Sequence, residues 1–212
     1  MGNRNAHAKA NEEKWNRRAV TYDDGRYDYF RMLQRVFLST LKIPSPACFL
    51  DVGCGTGWAV RRVAEKRNGN SRFVGVDISH LIVRKAVEHS AGGKHVEFGQ
   101  SDAENLPFPD LSFDTVICTN SFHHYLHPVA VLRDIRRIVK PQGRMHILDV
   151  TADDHLIRWM DERTRRKEKE HVRFYGTMDY AGMILQSGLS YIGSYPLFPF
   201  YSLKVHVGQG KA

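Results

Sequence analysis

The first amphipathic pattern in the chain is a stripe of apolar residues that follows a polar N-terminal segment. The apolar positions recur at steps of three and four, the spacing that places side chains on one face of an α-helix. They are Tyr29, Met32, Leu33, Val36, Phe37 and Leu41. Pro44 and Pro46 follow, and because proline cannot continue a helix, we expect the helix to end before them.

Short β-rich runs then alternate with helical patterns as far as about residue 150. The runs expected as strands are Cys48 to Val52, Phe73 to Asp77, Val96 to Gln100, Thr115 to Cys118 and Met145 to Val150. The helical stretches are Trp58 to Lys66, Ser79 to His89 and Pro128 to Val139. This alternation is typical of an α/β protein with a parallel sheet and crossover helices.

The pattern changes after Val150. A long, highly charged helix is predicted from about Asp153 to Glu170, and a second helix from Thr177 to Gln186. Two final strands are expected around Tyr191 and Val205. Basic and acidic residues interleave along the charged helix, which is typical of a solvated face.

Composition narrows the class of protein. The chain of 212 residues suits one domain, and 42% hydrophobic and 25% charged residues are close to the soluble average. No apolar run approaches the roughly 20 residues needed to cross a bilayer, and the polar start lacks a signal sequence, so we expect a cytoplasmic protein without a transmembrane segment. The net charge of +8 would attract anionic partners, although solvated lysines and arginines are the favoured explanation.

Closely spaced glycines follow the first predicted strand, in Asp51-Val52-Gly53-Cys54-Gly55-Thr56-Gly57. Glycine permits a positive φ in a tight turn and lets a ligand lie against the backbone. Asp77 closes the second strand, where a carboxylate can accept hydrogen bonds from both hydroxyls of a ribose. Trp58 takes the place of the last glycine of the dinucleotide motif, where an indole obstructs the close helix approach. The pattern therefore favours an adenosine ligand other than NAD.

Five sequence blocks resemble the class I S-adenosylmethionine-dependent methyltransferases, especially the group of quinone-biosynthesis methyltransferases. The blocks are residues 51–57, then Gly75-Val76-Asp77-Ile78-Ser79, Asp102-Ala103-Glu104-Asn105-Leu106-Pro107-Phe108, Phe113-Asp114-Thr115-Val116 and Val139-Lys140-Pro141-Gln142-Gly143. Gln142 departs from the Pro-Gly-Gly turn usual in the family, and we expect it to affect that turn and not the chemistry.

The resemblance implies a Rossmann-like α/β fold with a seven-stranded, mostly parallel sheet, a reversed last strand and helices on both faces. S-adenosylmethionine would lie across the carboxyl ends of the first, second and fourth strands. We expect a single domain with an N-terminal helical lid (1–46), a cofactor-binding core (47–150), substrate-cover helices (151–188) and final strands (189–212).

The resemblance also implies which residues bind the cofactor. Most of them follow the carboxyl ends of the predicted strands. The implied contacts are Tyr22 as a lid; Asp51, Gly53, Cys54, Gly55 and Asn120 at the turn and the methionine end; Asp77 at the ribose; and Ile78, Asp102 and Ala103 at the adenine.

His123 and His124 follow Asn120 at the rim of the expected pocket, where an imidazole could take a proton from an acceptor hydroxyl. The alternative is that one ring merely holds the loop. A base is optional, because alignment of the acceptor with the methyl group and sulfur supplies much of the acceleration. No carboxylate has a suitable spacing to join these histidines in a metal site, so we expect none. The three cysteines (Cys48, Cys54 and Cys118) lack the spacing of a zinc site or a disulfide framework.

The segment from Asp153 to Tyr175 is expected to cover the substrate, with a fixed surface helix as the alternative. Phe122, His155 and Tyr175 are the candidate acceptor contacts, and His171 is a further polar residue of this cover. The acceptor is expected to be a small aromatic or lipid-like molecule. Nucleic acid is disfavoured, because the turn after the fourth strand lacks the Pro-Pro-aromatic sequence of amino-methylating nucleic-acid enzymes. A non-catalytic protein that binds the cofactor remains open, and the sequence does not indicate an oligomeric state.

Overall fold

The computed structural model describes residues 2–22, 24–25, 28–67, 70–90, 95–168, 171–197 and 200–211. Its helices are α1 (Gly2–Ala19), α2 (Asp28–Thr40), α3 (Trp58–Ala64), α4 (His80–Glu88), α5 (Pro128–Ile138), α6 (His155–Lys167) and α7 (Thr177–Gln186). Its strands are β1 (Cys48–Val52), β2 (Arg72–Asp77), β3 (Val96–Gln100), β4 (Phe113–Thr119), β5 (Val139–Val150), β6 (Ser190–Leu197) and β7 (Phe200–Gln209).

The seven strands form one sheet in the order β3-β2-β1-β4-β5-β7-β6. Pairs from β3 to β5 are parallel, and β7 runs antiparallel to both β5 and β6. The predicted mostly parallel sheet with a reversed last strand is therefore confirmed. The strand order reverses between β1 and β4, and ligands of open α/β sheets bind at the carboxyl ends of the strands beside such a point.

Two apolar layers hold the helices on opposite faces of the sheet. One contains Phe113, Ile135 and Tyr180, the other Phe37 and Phe49, and all five side chains are fully buried. The central strands β1 and β4 are buried along almost their whole length, which explains why they appear in the sequence as continuous apolar runs.

The predicted elements recur with small shifts at their ends. Side-chain caps fix two helix starts, because Ser79 accepts a hydrogen bond from the amide of Ile82 and Asp154 one from Ile157. The third crossover helix stops one residue earlier than expected, since Val139 begins β5, and Gln142 takes a φ of +65° there. The charged helix ends at Lys167, and its predicted end at Glu170 lies outside the described residues.

The polar N-terminal segment forms α1, an 18-residue helix that apolar periodicity did not indicate. Its fixed position comes from polar contacts. Asn16 Oδ1 accepts a hydrogen bond of 2.6 Å from Ser79 Oγ, and Lys14 Nζ lies 2.8 Å from Glu168 Oε2. The helix therefore spans from the start of α4 to the end of α6.

The predicted stripe on α2 is buried on one side alone. Leu33 and Phe37 enter the core, whereas Tyr29, Met32 and Val36 are at least 40% exposed. Among the described residues, no helix is both long enough and apolar enough to span a membrane. The cytoplasmic location stays a prediction.

Candidate functional site

A cavity of about 380 Å³ opens at the carboxyl ends of β1, β2 and β4, beneath α1. Its wall combines strand ends, the N-terminal helix and the segment after α6. The residues on this wall include His7, Asn11, Trp15, Arg18, Tyr22, Phe30, Gly53, Cys54, Asp77, Ile78, Asp102, Ala103, Asn120, Ser121, His123, His124, Tyr125, Thr164, Glu168, His171 and Phe174.

The glycine turn after β1 forms the floor of the cavity. Gly53, Gly55 and Gly57 have φ values of +77°, +55° and +75°, which L side chains rarely adopt. A Cβ at position 53 would come within 2.7 Å of Ser121 Cβ, so a side chain at this position is also excluded by contact. The amides of Gly53 and Cys54 both donate to the carbonyl oxygen of Val76, which fixes the turn against β2.

Asp77 lies on the cavity wall at the end of β2. Its Oδ2 accepts a hydrogen bond of 3.0 Å from the Gly55 amide, and its Oδ1 accepts one of 3.0 Å from the Ser79 amide. Burial raises the pKa of this carboxyl group, and the backbone donors act in the opposite direction. Each oxygen still has lone pairs that can accept hydrogen bonds from ligand hydroxyls.

Two polar side chains around the turn have buried atoms without a hydrogen-bond partner among the described residues. Asn120 lies on the cavity wall with a φ of +53°, and both its Oδ1 and its Nδ2 are buried without a hydrogen-bond partner among the described residues. Both oxygens of the fully buried Asp51 are in the same condition, and burial, with a smaller effect of Asp77, raises the pKa of Asp51 to about 8. Because such groups cost about 1–3 kcal/mol each, they fit a polar ligand at this position.

The predicted cofactor residues come together with two exceptions. Tyr22, Gly53, Cys54, Asp77, Ile78, Asp102, Ala103 and Asn120 all line the cavity. Asp51 lies behind the turn, and Gly55 lies under the Tyr22 ring, since a Cβ there would approach Tyr22 Cζ to 3.1 Å.

A hydroxyl and thiol network supports the turn, and the sequence analysis missed it. Ser121 Oγ donates to the carbonyl oxygen of Val52 at 3.2 Å and lies 3.0 Å from Cys118 Sγ and 3.3 Å from the Tyr125 hydroxyl. Burial raises the pKa of Tyr125 well above its usual range, so this residue stays a neutral phenol. The only available signal was the position of Ser121 immediately after β4.

Three imidazole rings meet on the cavity wall. His123 and His124 lie in a short 3-10 turn (Phe122–His124), and His171 joins them from the segment after α6. The ring centre of His123 lies 4.1 Å from that of His124 and 5.4 Å from that of His171. His123 and His124 were expected together from their adjacent positions, whereas His171 was expected as a polar contact of the substrate cover and not beside this pair, from which it is distant along the chain.

Buried carboxylates hold two of these rings. Asp149, which is fully buried, accepts hydrogen bonds from the His123 amide at 3.1 Å and from His123 Nδ1 at 2.8 Å. Asp161 Oδ1 lies 2.7 Å from Nε2 of His171. Burial lowers the pKa of His171 although Asp161 opposes this effect.

The three expected acceptor contacts do not reach the cavity wall. Phe122 is fully buried in the core, where it packs on Tyr175 and Tyr180 with ring centres 6.1 and 5.5 Å away. Tyr175 is 8% exposed, and His155 lies on the surface at the start of α6. The same segment instead contributes Thr164, Glu168, His171 and Phe174 to the wall.

Helix α1 closes the cavity from above. His7 Nε2 lies 3.0 Å from the carbonyl oxygen of His124, and the Asn11 amide donates to the same oxygen at 3.5 Å. The Trp15 ring lies between Tyr22 and His124, with ring centres 6.3 and 5.5 Å away. The N-terminal helix thus contributes polar and aromatic groups to the wall.

Comparison with known proteins gives a consistent family match. A family model described as a methyltransferase domain matches residues 45–187. The ubiquinone/menaquinone biosynthesis C-methyltransferase of Pseudomonas putida is 29% identical over 123 residues, which are 56% of this chain and 48% of that protein. The chain spans about half the length of the curated relatives it matches.

Two solved structures show the same fold. A methyltransferase in complex with the Trm112 activator of Haloferax volcanii superposes with a TM-score of 0.83 at 19% identity, covering 93% of this chain and 98% of that chain. An S-adenosylmethionine-dependent methyltransferase of Aquifex aeolicus gives a TM-score of 0.67 at 18% identity, covering 91% and 97%. At these identities the likeness establishes the fold alone.

Proposed function

This chain belongs to the methyltransferase-domain family, and from that premise we propose that it transfers the methyl group of S-adenosylmethionine to a small organic acceptor. S-adenosylmethionine is the cofactor that this family and fold imply. The observation that carries the proposal is a single cavity whose wall holds Asp77, Asn120 and His123. Asp77 offers a carboxylate that can accept hydrogen bonds from a ribose. Asn120 offers an amide without a hydrogen-bond partner among the described residues, and His123 offers an imidazole oriented by Asp149.

The residues around the turn fit the proposed cofactor. Asp77 is proposed to accept hydrogen bonds from the ribose hydroxyls, because its two backbone donors leave lone pairs on both oxygens. Asn120 would contact the methionine end, where its buried amide lacks a partner among the described residues. Ile78 and Ala103 offer apolar contacts to the adenine, and Asp102 a carboxylate. When bound, the cofactor supplies an electrophilic methyl group on a positively charged sulfur.

The part of the wall around the imidazoles fits an aromatic or lipid-like acceptor. Trp15 and Phe174 supply aromatic surface beside the imidazoles, which supply polar contacts, and Phe30 also lines the cavity. The name of the quinone-biosynthesis relative also supports an aromatic acceptor for this chain. We propose that α1 and the segment after α6 exclude water from the acceptor and hold it in line with the methyl group.

His123 is the best placed group to receive a proton from the acceptor. With Asp149 accepting the hydrogen of Nδ1, the ring is held in the tautomer whose Nε2 can accept a proton. His124 has a different position, because its carbonyl oxygen is tied to His7 and Asn11 of α1. We therefore assign proton transfer to His123 and a positioning role to His124.

Two alternatives remain to be separated from this proposal. An RNA acceptor is disfavoured, because the turn after β4 has the sequence Thr119-Asn120-Ser121-Phe122 and lacks the Pro-Pro-aromatic sequence of amino-methylating nucleic-acid enzymes. A non-catalytic protein that binds the cofactor as a signal shares the same floor residues. Both alternatives make different predictions for the fate of the methyl group.

The test uses S-adenosylmethionine carrying a tritiated methyl group. The full chain is incubated with separate small-molecule, RNA and protein fractions of a cell extract, and heat-treated protein serves as the control. We expect label in the small-molecule fraction, extractable into organic solvent if the acceptor is lipid-like. Label in RNA, or no transfer by protein that binds the cofactor, would contradict the proposal.

A further inference from the structure

We propose that His123, His124 and His171 bind a divalent transition-metal ion of the zinc type on the wall of the cavity. One ligand nitrogen from each ring lies within 4.8 Å of the other two. A tetrahedral zinc ion, with Zn–N bonds of about 2.0–2.1 Å, brings its ligand nitrogens to about 3.3 Å from one another. Small rotations of the three rings would bring the nitrogens from within 4.8 Å of one another to this shorter separation. Binding of the ion does not depend on methyl transfer, and only the use of its open position by an acceptor rests on the proposed function.

The hydrogen bonds of two of the rings match those of metal ligands. A histidine that binds a metal usually donates its other ring N–H to a carboxylate or carbonyl group, which fixes the tautomer. Asp149 occupies Nδ1 of His123 and Asp161 occupies Nε2 of His171, at 2.8 and 2.7 Å. These bonds leave Nε2 of His123 and Nδ1 of His171 as the nitrogens for an ion.

The local charge suits a cation. Asp149 accepts hydrogen bonds from His123 and from the amide of Val150, while Asp161 accepts them from His171 and from the amide of Phe174. In the described part of the chain, neither carboxylate forms a salt bridge with a lysine or arginine. Buried carboxylates are usually paired or close to a metal, and two of them would offset the charge of a divalent ion.

The backbone holds the ligand segments together. The amides of Val172 and Arg173 donate to the carbonyl oxygen of His123 at 3.1 and 3.3 Å. The amide of His124 donates to the carbonyl oxygen of Ser121 at 3.1 Å. The segment containing His171 is therefore fastened directly to the turn containing the other two ligands. Such preorganisation reduces the ordering that binding requires.

Three protein ligands leave the fourth position of a tetrahedral ion open to the cavity. Water, or an oxygen or sulfur atom of the acceptor, would occupy it. An acceptor hydroxyl or thiol that binds there loses its proton to solvent water and coordinates as the anion. A ring nitrogen bound to the ion cannot accept a proton, so His123 acts as a ligand in the loaded protein and as the proton acceptor in the metal-free protein.

The test is a calorimetric titration with zinc chloride. The full chain is first treated with a chelator, and S-adenosylmethionine is left out. We expect one equivalent of zinc to bind to the wild type. His171→Ala should lower the affinity by about 100-fold or more, and Asp161→Asn by about 10–100-fold. The matched control is His89→Ala, an exposed histidine beyond α4, which should bind zinc as the wild type does. Circular dichroism melting identifies variants that fail to fold, and His123→Gln then replaces them.

Cobalt(II) provides a second readout that does not need activity. Bound to three imidazoles and one further ligand, it should give visible absorption bands of a four-coordinate ion, and His171→Ala should lose them. Absence of stoichiometric zinc binding in the wild type, or equal binding by wild type and His171→Ala, would overturn the metal site. Because titration of the same proteins with S-adenosylmethionine is separate, failure of the metal site and failure of the proposed function are distinguishable.

Discussion

At the scale of single residues, both the backbone conformation and a contact with Ser121 exclude a side chain at Gly53. Gly53→Ala places a side chain at a φ of +77° and a Cβ 2.7 Å from Ser121 Cβ. The conformation alone costs about 1–2 kcal/mol, and the contact adds to it. We expect a lower free energy of unfolding in urea and weaker cofactor binding.

Gly182→Ala is the matched control for this substitution. Gly182 lies in α7, and an added Cβ would meet no atom within 4 Å. Since glycine is a poor helix former, we expect this variant to gain up to about 1 kcal/mol. Equal stability of the two variants would mean that the turn relaxes freely, which would contradict its role as a rigid floor.

Asp149 is the residue that orients His123. Asp149→Asn keeps the size of the side chain but removes the charge and one acceptor, so the tautomer with a free Nε2 is no longer favoured. We expect the rate at saturating cofactor to fall by about 100-fold or more, with little change in affinity for the demethylated cofactor. Asp110→Asn, at an exposed carboxylate, is the control. Unchanged turnover of Asp149→Asn would limit His123 to a structural role.

Sequence reasoning succeeded for residues whose role follows from local position. The glycines and Asp77 directly follow buried strands, and that position alone brings them to the cavity. Asp149 and the meeting of His171 with the other two histidines could not be found this way, because their partners lie far away along the chain. Aromatic side chains misled for another reason: Phe122 and Tyr175 suit a core as well as a pocket, and the structure packs them against Tyr180.

At the scale of elements, α1 is attached by polar contacts and should respond to ligands. Lys14 and Asn16 hold its two sides, and among the side chains of α1 that the structure describes, Ala19 is the one buried apolar residue. We expect amide hydrogen exchange in α1 to slow when S-adenosylmethionine or its demethylated product binds, because the ligand adds contacts beneath the helix. Helix α7, on the far side of the sheet, serves as the internal control. Equal exchange of α1 with and without ligand would contradict its role as a lid.

Buried histidines on the paired strands β5 and β7 should make the stability of the fold sensitive to acid. Burial lowers the pKa of His146 and of His206 to about 4 from the usual 6.5. Between pH 6.5 and pH 4 the unfolded chain binds protons that the folded chain does not. The neutral histidines therefore contribute their full share of the free energy of unfolding above pH 6.5, and this share is lost as the pH falls towards 4. The loss should be on the order of 3 kcal/mol per histidine.

Urea unfolding between pH 4 and 7 measures this effect. His206→Gln should flatten the dependence of the free energy of unfolding on pH, whereas His89→Gln, at an exposed position, should leave it unchanged. A wild-type stability that is constant from pH 6.5 to 4.5 would show that neither buried ring resists protonation.

The elements also show where periodicity succeeds and fails. Strands β1 and β4 were recognised because they are buried on both faces, and α5 because its apolar face is continuous. Helix α1 was not recognised from its pattern, since it packs through Lys14, Asn16 and other polar side chains. Apolar periodicity carries no signal for a helix held in this way.

At the scale of the whole molecule, the fold and the family agree on one site. The reversal of strand order between β1 and β4 places the cavity where open α/β sheets bind ligands, and the family match covers the same region. The sequence therefore predicted the architecture, and most of the residues expected to bind the cofactor line this cavity. It indicated an N-terminal lid and a cover segment but not which of their side chains line the cavity, because that wall is assembled from α1, the turn after β4 and the segment after α6.

The most direct test of this assignment is calorimetric titration of the wild type and Asp77→Ala with S-adenosylmethionine, its demethylated product and NAD. We expect the wild type to bind both adenosyl ligands and not NAD, since Trp58 replaces the last glycine of the dinucleotide motif. Asp77→Ala should lose about 1.5–3 kcal/mol of binding free energy for both adenosyl ligands, because it removes hydrogen bonds to a charged group. Tight NAD binding without a response to the adenosyl ligands, or unchanged affinity in Asp77→Ala, would contradict the proposed cofactor site.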